Sequence, residues 1–510
     1  MEHPDSPWKL FEASYDRYPD EPVLIYNDRT YSYAEMRERS LGFAELMARW
    51  DFTMGGLLLP NCTAYLSTML GFNAASKPFA TLSYQFKGQA LFELLDYADV
   101  EVLVTDAKGW DTLQPYVDLL PLRAVLVLQA DDTFVVHEWS DKERRQHPGI
   151  GPDTFALCFT SGSTSRPKGI ILSNQAVAGN AVAIAEHLGF GPGERTIIPR
   201  SLAQSSPIGG DVFMAISQGG AIILLNNLFH PAIFLKAIAD YKATQFFIVR
   251  TMLLQVLEYP HLHNYDTSSL RRVLIGGMMS PLIVFQEAAR LMPTARIYNA
   301  YGCSEGVARV TFCEHEETIS LQHVVGRPIK GCAITIIRED GTEAAVGEVG
   351  EFCIKSAYLM DGYYKQDRVT REAFTEQGFR VRDIGYRDEA GRYYALGRAD
   401  DMIVQGGSMA YPVDIEEVLL RHPAVGEAVV LGAADRRLGQ RIVAFVSLRP
   451  DASVEEKALF QWCRAELQDR LVPKEIHIVE HIPRTVIGKI NRKEIAQAYS
   501  MLLNKEEAIL

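Results

Sequence analysis

Residues 155–188 read FALCFTSGSTSRPKGIILSNQAVAGNAVAIAEHL, and three physical textures follow one another in them. Phe155–Thr160 is a short apolar run of strand type, and Gly169–Leu172 is a second. Asn174–Leu188 has the alanine-rich pattern of a helix, which Gly189 and Gly191 then break. Between the two strand-like runs stands Thr160-Ser161-Gly162-Ser163-Thr164-Ser165-Arg166-Pro167-Lys168-Gly169. Hydroxyls, a flexible glycine and a basic side chain in a strand-connecting loop are what a polyphosphate needs. Gly162 lets the backbone approach, hydroxyls and N–H groups donate hydrogen bonds, and Lys168 supplies charge. A Walker-type loop requires Gly before the Lys and Ser or Thr after it. Pro167 and Gly169 occupy those places, so the Walker reading fails. Taken alone, the loop could equally be a solvated Ser/Thr-rich turn.

Outward from this stretch the alternation continues. Thr244–Val249, Arg272–Ile275 and Arg296–Asn299 have strand character, and Met252–Glu258 and Pro281–Met292 have helix character. Alternation of this kind predicts an α/β fold with parallel sheets covered by helices. From Val324 to Tyr394 short β-type runs such as Ala333–Ile337 and Glu351–Ile354 are punctuated by the turn signals Asp340-Gly341 and Asp361-Gly362, which predicts a β-rich subdomain. After Asp400 the pattern is a small α+β unit. Val413–Leu420 and the amphipathic Val454–Arg470 are its expected helices, and Ala428–Leu431, Ile442–Leu448 and Glu475–Glu480 its expected strands. The expected domains are therefore 1–399 and 400–510.

The length of 510 residues calls for two or more cores. A net charge of -13 argues against a nucleic-acid partner held on a basic surface. The seven cysteines include no C-x-x-C pair, which speaks against a zinc or redox site and fits a reducing compartment. The longest apolar-leaning segment, Val212–Leu225, is about 14 residues, short of the roughly 20 needed to cross a bilayer. The N-terminus lacks a basic start followed by an apolar run, so no secretory signal is expected and the location read is cytoplasmic.

Thr160–Gly169 closely resembles the phosphate-loop signature of the adenylate-forming superfamily, which includes acyl- and aryl-CoA ligases, adenylation domains of peptide synthetases and beetle luciferases. Companion segments follow in that family's order. Asn299-Ala300-Tyr301-Gly302-Cys303-Ser304-Glu305 resembles its Y-G-x-[ST]-E segment. The resemblance implies that Tyr301 flanks adenine, Ser304 lies near the α-phosphate and Glu305 helps to hold Mg²⁺, as suits a carboxylate and a hard cation. Arg382-Asp383-Ile384-Gly385 resembles T-G-D-[IL]-G, whose Asp binds the ribose hydroxyls; Arg382 departs from the usual glycine there. Gly397-Arg398-Ala399-Asp400 resembles G-R-x-[DK], which implies that Arg398 contacts the nucleotide and Asp400 is the hinge, with Asp401 the alternative. Pro483–Arg492 matches P-x-[TS]-x-x-G-K and makes Lys489 the lysine of the adenylation step. The implied catalytic set is Lys489, Glu305 and Thr164. The implied nucleotide set adds Thr160, Ser161, Gly162, Ser163, Lys168, Asn299, Ala300, Tyr301, Gly302, Ser304, Asp383 and Arg398.

What the resemblance implies is ATP- and Mg²⁺-dependent conversion of a small-molecule carboxylic acid to an acyl-adenylate. The second step is transfer to coenzyme A or to the phosphopantetheine of a carrier protein. A carrier-only acyl-AMP ligase and a non-catalytic nucleotide-binding relative are the alternatives. The small domain is expected to move, bringing Gln405-Gly406-Gly407-Ser408 to the site, where glycines let a pantetheine arm pass; a tight turn is the other reading of Gly406-Gly407. Ser205-Ser206 falls where amino-acid-activating relatives carry a Phe-Asp pair, so an ammonium would lack its partner; Asp211 maps one turn further along. The candidate acid pocket is Gln204, Ser205, Ser206, Ile208, Gly276, Gly277, Met278, Met279 and Ala300. Arg250, which replaces the Pro of V-P-T, and Arg309 could each pair with a second carboxylate, although a surface position is the expectation for both.

Overall fold

The computed structural model describes residues 5–139, 142, 145, 147–160, 168–226, 229–484 and 490–507, the last seven by backbone alone. Ser161, Gly162, Ser163 and Thr164 of the phosphate loop, and Lys489, lie outside the described residues.

Five strands, Ala221–Leu224, Arg195–Ile198, Gln245–Val249, Arg272–Gly276 and Arg296–Tyr301, lie side by side and parallel. Apolar β-branched runs such as Arg272–Gly276, buried at every position, suit strands covered on both faces. From Arg296–Tyr301 the sheet continues antiparallel through Thr311–Cys313, Val324–Pro328, Tyr393–Arg398, Gly378–Arg387, Gly350–Ser356 and Cys332–Ile337. The β-rich region is thus a hydrogen-bonded extension of the parallel sheet.

A second sheet has a parallel core of Thr154–Thr160, Phe79–Thr81, Gly55–Leu58, Val102–Asp106 and Ala124–Leu128. Across the phosphate loop the pairing is antiparallel, with Thr160 opposite Lys168. The two strands, expected in a parallel layer, are antiparallel, because the sequence between them is shorter than the crossover of about a dozen residues that a parallel return requires. Gly362–Tyr363 adds to the outer side of this hairpin, so Asp361-Gly362 belongs to the second sheet and not to the β-rich region.

Helix Asn174–Leu188 packs between the two sheets, capped by Ser173 at its start and ended by Gly189 at φ 60°. The Val212–Leu225 segment is largely buried as the end of a π-helical turn, a short helix and a strand, Ala221–Leu224, that lies between Arg195–Ile198 and Pro22–Tyr26, parallel to both. Residues 403–478 form a separate five-stranded sheet with its own apolar cluster around Ile415, Leu419, Val430 and Leu459. The helix expected over 454–470 runs only from Glu456 to Glu466. Leu467 leaves it in extended conformation, and Leu467, Leu471 and Val472 then pack on that cluster instead of following the helical stripe. Among the described residues no helix is long and apolar enough to cross a membrane.

Candidate active site

Strand Arg296–Tyr301 ends in the middle of the large sheet and delivers Tyr301 to a cleft. Gly302 follows where a Cβ would stand 2.2 Å from the Ala308 carbonyl oxygen, so only glycine lets the chain double back there. The turn Ser304–Gly306 then presents Glu305. The Tyr301 hydroxyl donates to Asp383 Oδ2 at 2.7 Å. Asp383 and Arg398 are cross-strand partners, with Arg398 Nη1 at 3.5 Å from Asp383 Oδ1. Burial, reinforced by the Asp383 carboxylate, pushes the Tyr301 phenol well up, so it stays protonated and donating.

A second group converges beside the first. The Tyr363 hydroxyl donates to Glu305 Oε1 at 2.8 Å, and the Lys168 ammonium lies over the Tyr363 ring, 5.0 Å from its centre. Burial and the Glu305 charge push the Tyr363 phenol up as well. Tyr363 is held from behind. Tyr364 N bonds to the Gly169 carbonyl and its hydroxyl to Asp99, which also takes Lys365 and Arg145. Sequence reading missed Tyr363; the only signal was an aromatic directly after the Asp361-Gly362 turn. Among the described residues no three His, Cys, Asp or Glu side chains group as a metal cage. Glu305, with one oxygen engaged by Tyr363, fits a Mg²⁺ ion held largely by phosphate oxygens and water. Asn299 turns its amide to the Val324 carbonyl at 2.6 Å and so also fixes the neighbouring strand.

Among the residues expected to form the acid pocket, Gln204 precedes the turn Ser205–Pro207, which runs into the π-helical turn Ile208–Phe213. Gly276 lies where a Cβ would meet the Ala300 oxygen at 2.1 Å and the Phe247 ring at 3.0 Å. Gly277 follows in left-handed conformation at φ 79°, with Met278 and Met279 half-buried after it. The surface position expected for Arg250 and Arg309 is overturned: they are 8% and 2% exposed. Arg309 Nη1 donates to Ser206 at 2.6 Å, and its guanidinium lies 3.7 Å from the centre of the Phe247 ring. Arg200 pairs with Asp211 at 2.5 Å and also stacks on Phe247. Arg309 reaches the same Asp211 at 3.5 Å. Burial pushes Arg309 down to about 10, which leaves it charged at neutral pH. Asp211 is therefore committed to two arginines. Arg250 instead donates to the Met279 carbonyl at 2.9 Å. Burial lowers its pKa, and its strongest charged surroundings are Glu416 and Glu427 of the C-terminal unit.

The two hinge candidates point to opposite sides. Asp400 bonds to Arg382 of the large sheet at 2.9 Å, and Asp401 lies 3.7 Å from Arg492 of the C-terminal unit. Arg382 adopts φ 66°, the left-handed conformation a glycine would take, so the departure from the family's pattern leaves the turn in place. Gly406 and Gly407, at φ 59° and 79°, close a two-residue hairpin between Gln405 and Ser408, the tight turn that was one of the two readings.

The sequence profile of the AMP-binding enzyme family matches residues 11–364, and that of the AMP-binding enzyme C-terminal domain matches residues 414–489. A 2-succinylbenzoate–CoA ligase of Bacillus licheniformis is 32% identical over 343 residues, covering 67% of this chain and 70% of the relative. A ligase of the same name from Bacillus subtilis is 27% identical across 94% of this chain and 96% of its own length. Among solved structures, the Bacillus subtilis o-succinylbenzoate CoA synthetase in complex with its acyl-adenylate intermediate superposes with a TM-score of 0.82 at 25% identity, covering 96% of this chain and 98% of that one. The anthranilate CoA ligase AuaEII with anthranoyl-AMP superposes with a TM-score of 0.86 at 20% identity over 97% of each chain, which shows a shared fold.

Proposed function

The chain belongs to the family of AMP-binding enzymes, and from that premise we propose an assignment of its chemistry to its residues. It is an AMP-forming acid–thiol ligase that uses ATP and Mg²⁺. A carboxylate oxygen of the acid attacks the α-phosphorus of ATP, the bond to the β-phosphate oxygen breaks, and pyrophosphate leaves. The thiol sulfur of coenzyme A then attacks the acyl carbonyl, loses its proton, and AMP leaves.

The observation that carries the assignment is the convergence of Tyr301, Asp383 and Arg398 beside Glu305, Tyr363 and Lys168. Asp383 accepts the two ribose hydroxyls, Arg398 contacts the nucleotide, and Tyr301 flanks adenine while orienting Asp383. Glu305, fixed by Tyr363, takes part in holding Mg²⁺, which neutralises the leaving pyrophosphate. Lys168 and the loop residues Thr160 to Thr164 hold the β- and γ-phosphates, and Ser304 lies at the α-phosphate. Lys489 stabilises the charge that builds on the α-phosphate oxygens during attack. Residues 1–399 bind ATP and acid, and residues 400–510 turn about Asp400 to exchange Lys489 for the Gln405–Ser408 hairpin. A carrier-protein phosphopantetheine is the alternative acceptor. Seven unpaired cysteines suit a reducing compartment, and we assign the protein to the cytoplasm.

The test is pyrophosphate release from ATP and Mg²⁺ across fatty, aryl, dicarboxylic and sulfonated acids, with and without coenzyme A. The names of the relatives put 2-succinylbenzoate, indoleacetate and sulfoacetate on the panel. Release that depends on one acid class is expected, together with an acyl-CoA product. Release that ignores coenzyme A assigns the acceptor to a carrier protein. Protein that binds ATP yet releases pyrophosphate with no acid would overturn the reading.

A further inference from the structure

Two guanidiniums and one carboxylate are buried together on the acid side of the cleft. Arg200, Asp211 and Arg309 are 8%, 2% and 2% exposed. One carboxylate between two permanently charged groups leaves one positive charge uncompensated, and an isolated buried charge costs several kcal/mol. Stacking of both guanidiniums on Phe247 offsets part of that, about 0.5–2 kcal/mol each. The hydrogen-bond account is open in the same place. Among the described residues, Arg309 Nε and Arg200 Nε have no hydrogen-bond acceptor, and Arg309 Nη2 makes no hydrogen bond and has only the Asp211 carboxylate near it, at 3.5 Å. Ser206 accepts from Arg309 Nη1 at 2.6 Å and Arg200 Nη1 at 3.4 Å, which leaves its own O–H to donate elsewhere.

The surroundings hold this charge close to the acid pocket. A Cβ on Gly210 would stand 2.9 Å from Arg309 Nη1, so the glycine makes room for the guanidinium against the π-helical turn. The Arg309 backbone is fixed by Asn180, whose amide donates to the Arg309 carbonyl at 2.8 Å, and it crosses directly over Gly302 of the nucleotide segment. The Phe247 ring under both arginines abuts Gly276, which in turn abuts Ala300. A chain of direct contacts therefore runs from the segment carrying Tyr301 to the unmatched guanidinium.

We propose that the acid this enzyme activates carries a second anionic group, remote from the reacting carboxylate, and that Arg309 and the Ser206 hydroxyl receive it. The shared chemistry is an oxyanion with two or three acceptor oxygens, a carboxylate or a sulfonate, matched to the fork of donors on Arg309. Arg200 and Asp211 act as positioning residues that hold this fork. The proposal rests on the adenylation reading above and names its substrate class.

The experiment compares α,ω-dicarboxylic acids of graded length and aryl dicarboxylates with their monomethyl esters, with ω-sulfonated acids as a third arm. Pyrophosphate release is measured, along with acid binding by calorimetry in the presence of AMP. In the wild type the ester is expected to lose on the order of 10–100-fold in kcat/KM against its diacid. The ratio of diacid to ester should collapse in Arg309→Met and be partly restored in Arg309→Lys. Should Arg309→Met fail to fold, Ser206→Ala provides the second reading, with an expected loss of about 10-fold in that ratio. Sulfonated acids used as well as diacids, or not at all, tell which oxyanion the fork takes. Esters used as well as diacids by the wild type would overturn the proposal. Pyrophosphate release with no acid would instead count against adenylation, and calorimetry then decides here: diacid binding that is Arg309-dependent upholds the site, and equal binding of diacid and ester overturns it.

Discussion

The proposed nucleotide side and the proposed acid side of this site are built on different principles. On the nucleotide side, the charged groups meet partners delivered by short contiguous segments. Asp383 faces Arg398 across adjacent strands and receives the Tyr301 hydroxyl, and Glu305 receives Tyr363. On the acid side, Arg200, Asp211 and Arg309 come from a loop, a π-helical turn and the stretch after Gly302, and Ser206 and Arg309 are 103 residues apart in sequence. The first arrangement holds ordinary charges in a half-open cleft. The second holds more positive than negative charge in a buried one. A nucleotide is a fixed shape that short segments can be matched to, whereas an acid pocket is made by whatever side chains tertiary packing brings together.

Removing Asp211 should break this comparison most severely. Asp211→Ala leaves two buried guanidiniums facing each other without a counter-ion, and the expected loss is about 3–5 kcal/mol of stability. Urea midpoints at constant m-value report it. A loss under about 1 kcal/mol would mean that water already compensates the cluster, and the acid side would then be no more demanding than the nucleotide side.

The same contrast governs how much could be read from sequence. The hydroxyl-rich loop stood out by its residue types, whereas Tyr301, Asp383 and Arg398 were singled out by the resemblance of their segments to those of the adenylate-forming superfamily. The parallel core was legible because strand-like and helix-like runs alternate along the chain. The hairpin at the phosphate loop was not, since pairing direction depends on a neighbour and not on the strand's own pattern. Tyr363 went unseen because its role depends on Gly362–Tyr363 adding to the hairpin strand Lys168–Ser173. Arg250 and Arg309 were assigned to the surface because charged side chains are rarely buried. Only the meeting of Arg309 with Asp211, Ser206 and Phe247 shows why this one is. The end of the 456–466 helix was misplaced for a similar reason, as Leu467 and Leu471 continue an apolar pattern while packing from extended backbone and from the short 3-10 turn Asp469–Leu471.

Two substitutions sharpen the nucleotide half. Asp383→Asn removes the charge proposed to accept the ribose hydroxyls, and kcat/KM for ATP should fall by about 10–100-fold while the KM for the acid moves little. A fall confined to the acid would place Asp383 on the wrong side of the cleft. Tyr363→Phe deletes one hydrogen bond to Glu305 and should cost about 3–10-fold, read as a raised Mg²⁺ requirement for pyrophosphate release. An unchanged Mg²⁺ dependence would separate Tyr363 from the metal-holding group and leave it a support for the hairpin.

The smallest expected effect concerns Arg382, where the nucleotide half places its own strain. At φ 66° an arginine sits in the region that glycine occupies freely, at a cost of about 1–2 kcal/mol. Its side chain bonds to Asp400 in an exposed pair worth about 0–1 kcal/mol. Arg382→Gly relieves the strain, loses the pair and gains unfolded-state entropy, so stability should move by less than about 1 kcal/mol in either direction. Arg382→Ala loses the same pair and keeps the strain. The difference between the two variants therefore isolates the backbone cost, with glycine the more stable by about 1 kcal/mol in urea unfolding. Both variants release Asp400 from the large sheet, so any change in the ratio of adenylate to thioester formation should be common to the two. Equal stability of glycine and alanine would mean that the turn before Asp383 is imposed by its neighbours without local strain. A rate change seen only with glycine would move the hinge from the Asp400 pair to the backbone of residue 382.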